Sequence, residues 1–208
     1  MRERQVQMSI ENSFTKSVYA GLATLMVAGL SSVGVTPATA ASARVLPKSE
    51  LTSLVDLAAE RILLADKVAA AKFGTTVPIE DPVREQQVLD QAAALAADAG
   101  IDPEGTADFF RAQIEMSKFV QQGLHDLWTE HPELAPVERP DLATEVRPAL
   151  DRITVEFIDQ LVRTEDLRGS TLRCKASLIL AKEQVNRRYD LDRLHGRALR
   201  GAIEPVCT

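Results

Sequence analysis

The run LTSLVDLAAERILLADKVAAAKF, residues 51–73, decides the fold. Leu54, Val55, Ala58, Ile62, Ala65 and Ala69 recur at the three- and four-residue spacing of an amphipathic helix. Two cations lie close to that apolar side, Arg61 and, eleven residues on, Lys72. At 100° per residue, eleven steps return to within about 20° of the same azimuth and advance roughly 16 Å along the axis. Both side chains are long enough to lean together and clasp one small anion. The plainer alternative is that each stretches out of the core to water or to an acidic neighbour.

Helical patterning continues on the C-terminal side. Breakers divide the chain at Gly74 to Pro78, Gly100 to Pro103, the HPELAPVERP segment of residues 131–140, Gly169 and Pro205. Asp81-Pro82 and Asp102-Pro103 each place a capping carboxylate before a proline at the first helical position. The pattern predicts helices at about 49–73, 81–99, 103–129, 141–165, 170–188 and 190–203, and no stretch alternates with period two. The expected fold is all-α, a single-domain bundle of about six helices, with Ala and Leu allowing close helix packing.

On the N-terminal side, residues 1–40 have the make-up of an export leader. Arg2, Arg4 and Lys16 form a basic segment, Val18 to Leu30 is apolar, and Ala38-Thr39-Ala40 is a small-x-small cleavage site, with Ala43 as a second one. The apolar run is short and rich in Ala, Gly and Ser, which disfavours an uncleaved anchor. Residues 41–208 are then the mature domain, large enough for one core. The whole chain carries 24 Lys+Arg against 30 Asp+Glu. Removing the leader's three cations and two acids leaves 21 against 28, a net charge of −7. Such a domain is a poor general binder of nucleic acid or of anionic membranes, so any anionic ligand needs a local cluster of cations. The basic positions of the last two helices are interleaved with acids and read as a solvated or packing face.

The two cysteines, Cys174 and Cys207, both lie in the mature part. An even count behind an export leader argues for one disulfide, a metal pair or free thiols being the alternatives. No Cys-x-x-Cys occurs, and His125, His131 and His195 lack ligand spacing, so no metal and no cofactor is expected. Hydrolase, zinc-protease and phosphate-loop motifs are all missing.

Several polar positions invite a functional reading, though each has a duller one. Asp81, Arg84 and Glu85 fall within the first turn and a half of the second helix, as a cap and a surface charge pair would. Ser117 and Gln121 share a face of the third helix beside Phe109, Phe110, Ile114, Phe119, Val120 and Leu124. On the fourth helix Arg147 begins the segment RPALDRITVEFI, where an exposed cation is the duller reading.

Taken in order, the string of Arg61, Lys72, DPVRE at 81–85 and IEMSKFVQQ at 114–122 resembles the all-helical (type II) class of chorismate mutases over the whole mature chain. The leader, Arg147 and the two cysteines make it similar to the secreted subclass. The resemblance implies a monofunctional isomerase that rearranges chorismate to prephenate without a cofactor. It implies that Arg61, Arg84 and Arg147 hold the substrate carboxylates, and that Lys72 and Gln121 donate to the breaking ether oxygen. Ser117 matches a hydroxyl near a carboxylate, Glu85 the acceptor of the ring hydroxyl, and Asp81 a neighbouring acid. It also implies a Cys174–Cys207 disulfide and a homodimer with each site inside one protomer. Some secreted relatives carry Gln where this chain has Val88 and an apolar residue in place of Glu85, so the hydroxyl contact departs from their pattern. The alternative expectation is an inactive secreted binding protein of the same fold, which chorismate turnover would separate from an enzyme.

Overall fold

A computed structural model describes residues 49–208, and the leader assigned to residues 1–40 lies outside them. Among the described residues the chain is helical, with no strand. The six long helices are α1 (Thr52–Lys72), α2 (Pro82–Ala99), α3 (Pro103–Glu130), α4 (Arg147–Arg163), α5 (Leu172–Tyr189) and α6 (Arg193–Ala202). Short 3-10 turns follow α3 at Pro132–Leu134 and α6 at Glu204–Cys207. None of these helices is long and apolar enough to cross a membrane.

α1 runs through the middle, touching α3, α4, α5 and α6. Its buried residues, among them Leu54, Val55, Leu57, Ala58, Ala59, Ile62, Ala65 and Ala69, wrap around most of its circumference instead of forming one stripe. Alanine at so many of these positions keeps the helix thin, which lets neighbours approach on several sides. Phe109 and Phe110 of α3 meet Phe157 of α4 edge to face, with ring centroids 5.0 and 5.6 Å away. Such pairs contribute roughly 0.5–1.5 kcal/mol beyond simple burial. A smaller cluster of Phe73, His125 and Trp128 closes the far end of α1 against α3.

The expected caps form. Asp81 Oδ1 accepts from Arg84 N at 3.0 Å, and Asp102 accepts from Glu104 N and Gly105 N at 3.0 Å each. Gly100 ends α2 with φ 77°, where a side chain would be strained. One predicted helix begins differently. The 141–165 helix opens with a π turn at Leu142–Val146 before α4 proper. Pro148 has no N–H to offer the carbonyl four residues back, and Arg147 N reaches instead to Leu142 O, five residues back. Asp141 caps the turn through Ala143 N and Thr144 N, and those backbone N–H groups hold its carboxyl below the usual range.

The Cys174–Cys207 disulfide is present, with Cα atoms 5.8 Å apart. It ties the start of α5 to the end of the chain inside the main core. Beside α1, His195 of α6 lies between Asp66 and Asp192, each ring nitrogen 2.8 Å from a carboxylate oxygen.

Candidate active site

A cleft of about 160 Å³ opens between α1, α2, α3 and the π turn leading into α4. On the same measure one water needs about 10–15 Å³, so the space suits an organic molecule of roughly a dozen heavy atoms. Arg61, Lys72, Asp81, Arg84, Glu85, Ser117, Gln121 and Arg147 all line it. The structure thus brings to one place eight residues, seven on four separate helices and Asp81 at the N-cap of α2.

Arg61 is buried, 6% exposed, and its Nε has no hydrogen-bond partner among the described residues. Burial, more than the neighbouring Arg84, pulls its pKa down to about 10, and Asp151 opposes that shift. It is still a cation at neutral pH, and a desolvated one. Lys72 is also buried, its Nζ donating to Ile79 O at 2.8 Å, so the loop after α1 folds over its end. Burial lowers the ammonium's pKa, while Asp81 and Glu85 draw it the other way.

Arg84 is held loosely. Its Nη2 lies 3.4 Å from Asp151 Oδ1, and the side chain is 38% exposed. Arg147, at the first position of α4, is exposed. A buried arginine and two more accessible ones therefore surround the same space.

Ser117 and Gln121 face the cleft from α3. Gln121 is 4% exposed, and its Nε2 donates to Ser117 Oγ at 3.2 Å and Ser117 O at 3.3 Å. Its Oε1 is buried without a partner. A buried amide left half satisfied is costly unless a ligand completes it. Turning the amide over would present N–H groups where that oxygen now stands.

Glu85 is committed at both oxygens. Oε1 accepts from Asp81 N at 3.1 Å, and Oε2 from Lys118 Nζ at 3.1 Å. Lys118 was not among the residues singled out from the sequence, nor were Asp151 and Thr154, which also line the cleft. Lys118 directly follows Ser117, but consecutive residues point about 100° apart around a helix, so the sequence does not place both at one cleft. Asp151 lies four residues, about one helical turn, beyond Arg147. Among the described residues no group of three or more His, Cys, Asp or Glu side chains is placed to hold a metal.

This arrangement can bind and orient a small polyanion. It offers buried and semi-buried cations, a neutral amide and a hydroxyl, and no cysteine or histidine lines the cleft. Comparison with known proteins points the same way. Residues 52–122 match the family model for chorismate mutase type II. The secreted chorismate mutase of Mycolicibacterium smegmatis is 35% identical over 186 residues, covering 89% of this chain and 99% of that protein. That of Mycobacterium tuberculosis is 35% identical over 159 residues, or 76% of this chain and 79% of its own. The crystal structure of a chorismate mutase from Burkholderia thailandensis superposes with a TM-score of 0.72 at 36% identity, over 76% of this chain and 99% of that one. Similarity at that level along nearly the full length of a relative goes well beyond a shared helical architecture, and the chain belongs to the type II chorismate mutase family.

Proposed function

We propose that the chain is an exported, monofunctional chorismate mutase, an isomerase that converts chorismate to prephenate, acting as a homodimer with a complete site in each protomer. The observation that carries the assignment is Arg61, a buried guanidinium lining the cleft with Nε unpartnered. Leaving a charge desolvated and unpaired costs stability, and a site that binds a dianion gives it a purpose. A leader-like N-terminus and the secreted relatives support export. The eight residues assigned to the substrate already converge on one cleft of a single chain, which supports a site complete within one protomer.

The reaction breaks the ether C–O bond and forms a C–C bond in one cyclic shift of six electrons. No proton moves and no covalent intermediate with the enzyme forms. The protein must hold the compact conformer of the substrate and meet negative charge building on the ether oxygen. Arg61, Arg84 and Arg147 clamp the two carboxylates, an orientation effect. Lys72 and Gln121 donate to the ether oxygen, whose charge is greatest in the transition state, so their contribution falls on turnover. Ser117 donates near a carboxylate and positions the Gln121 amide. Glu85, next to Asp81, accepts from the ring hydroxyl with the lone pairs that Asp81 N and Lys118 leave free.

Loss of chorismate absorbance in the presence of purified protein tests the activity directly. Saturable turnover at ordinary enzyme concentrations is expected. Absence of turnover, together with no stabilisation by a bicyclic dicarboxylate mimic of the transition state, would leave only a helical binding protein. Light scattering of the mature protein should give the mass of two chains, and one chain's mass would remove the dimer.

A further inference from the structure

Five cations line the cleft, Arg61, Lys72, Arg84, Lys118 and Arg147, against the three carboxylates Asp81, Glu85 and Asp151. Two positive charges remain, the number that a substrate with two carboxylates neutralises. Without Lys118 the surplus would be one.

Lys118 is also the residue that fixes Glu85. Its Nζ lies 3.1 Å from Glu85 Oε2 on α2 and 2.8 Å from Glu115 Oε1 on its own helix. The side chain is only 17% exposed, whereas Glu115 is 53% exposed and does not line the cleft. Glu115 therefore steadies the ammonium from the solvent side, and Glu85 receives it from the cleft side. With Oε1 already tied to Asp81 N, the second contact leaves Glu85 no free rotation. If Lys118 were absent, Glu85 would face the anionic substrate with its Oε2 stripped of the cation that now holds it.

We propose that Lys118 is a positioning residue for the mutase reaction: it holds Glu85 at the cleft wall and sets the cleft's charge to balance a dianionic substrate. The proposal rests on the chorismate mutase assignment above. Lys118 acts through Glu85 and through the field of the cleft, not on the breaking bond. The substrate keeps both carboxylates throughout the rearrangement, so this charge balance serves ground state and transition state alike. Its loss should appear in KM and not in kcat.

The test is steady-state kinetics on chorismate for wild type, Lys118→Met, Lys118→Arg, Glu85→Gln and the Glu85→Gln/Lys118→Met double variant, at low and high salt, with thermal melts alongside. Lys118→Met should raise KM about tenfold at low salt and less at high salt, as expected for one partly shielded charge, with kcat within about threefold. Lys118→Arg should stay within about twofold of wild type, because the guanidinium keeps the charge and the reach. In the Glu85→Gln background, Lys118→Met should change KM by less than about threefold, since the carboxylate it balances has gone. An unchanged KM in Lys118→Met, a loss confined to kcat, or the same tenfold rise in the Glu85→Gln background would each overturn the proposal. If Lys118→Met melts early, the comparison of Glu85→Gln with the double variant decides the question by itself. Wild type without turnover would instead remove the mutase assignment, and this proposal with it.

Discussion

Gln121 donates from Nε2 to Ser117 Oγ across 3.2 Å, one turn earlier on the same helix, and leaves its own Oε1 buried without a partner. A neutral amide holds this place at every ordinary pH, and it is the group assigned to the ether oxygen. Wild-type turnover should therefore change little between mildly acidic and mildly alkaline pH. Gln121→Glu could donate only when protonated, with an unperturbed pKa of about 4.3 that burial would raise. The variant should work at low pH and fail progressively as its carboxyl ionises. Paired pH–rate profiles measure this, and superimposable curves would mean that Gln121 does not touch the reacting oxygen.

Lys72→Ala should lower kcat by about 10²–10³, the usual effect of removing one preorganised donor to developing charge. The helical circular dichroism signal should stay near wild type, because the Lys72 ammonium bonds only to a loop carbonyl, Ile79 O. Near-normal turnover would dismiss α1 as the wall that carries the chemistry.

Arg61 sets function against stability. Arg61→Met replaces a buried, incompletely bonded guanidinium with an apolar chain of similar reach. Activity should fall sharply while the melting temperature holds or rises by about 2–4 °C, equivalent to roughly 1 kcal/mol. A large drop in both would assign Arg61 to packing instead.

The Asp66–His195–Asp192 contact gives a pH signature away from the cleft. The hydrogen bond to Asp66, more than the opposing effect of burial, pushes the imidazole's pKa up to about 9, and Asp192 adds to it. The folded pKa lies above the ordinary imidazole value of 6.5. The stabilisation is therefore complete below about pH 6.5 and fades as pH rises through about 9. Its size should be on the order of 2 kcal/mol, since Asp66 and Asp192 are 44% and 64% exposed. Urea denaturation at pH 6 and pH 10 should show this loss in wild type. In His195→Asn the difference between the two pH values should shrink by a similar amount, and an equal difference in both proteins would refute the assignment.

Cys174→Ser should cost about 4 kcal/mol, the chain-entropy value for a loop of 33 residues, and leave kcat within about twofold. Chemical denaturation and kinetics on the same preparation measure the two effects. A kcat that fell with stability would tie the disulfide to the cleft.

Much of the bundle was legible because its signals are local. The Asp-Pro caps, the breakers and the apolar spacing of residues 51–73 mark α1, α2 and α3 within a few residues. The π turn before α4 was not, because it depends on Pro148 shifting a hydrogen bond within an otherwise helical pattern. At the cleft, Arg61 and Lys72 stood out as cations beside an apolar stripe. Lys118 did not, since a lysine one residue past Ser117 looks like a solvated charge until α2 brings Glu85 against it. Asp151 was hidden in the same way, its partner Arg84 lying 67 residues away in sequence. Contacts between helices leave no periodic trace.

The side chains lining the cleft run from Arg61 to Thr154, and none comes from the chain beyond. Yet the disulfide and the whole of α5 and α6 lie in that later part, packed against α1. The molecule is thus divided like a tool into blade and handle. Sequence drift, tags or surface redesign in the last third can alter durability while leaving the cleft's chemistry to the helices that build it.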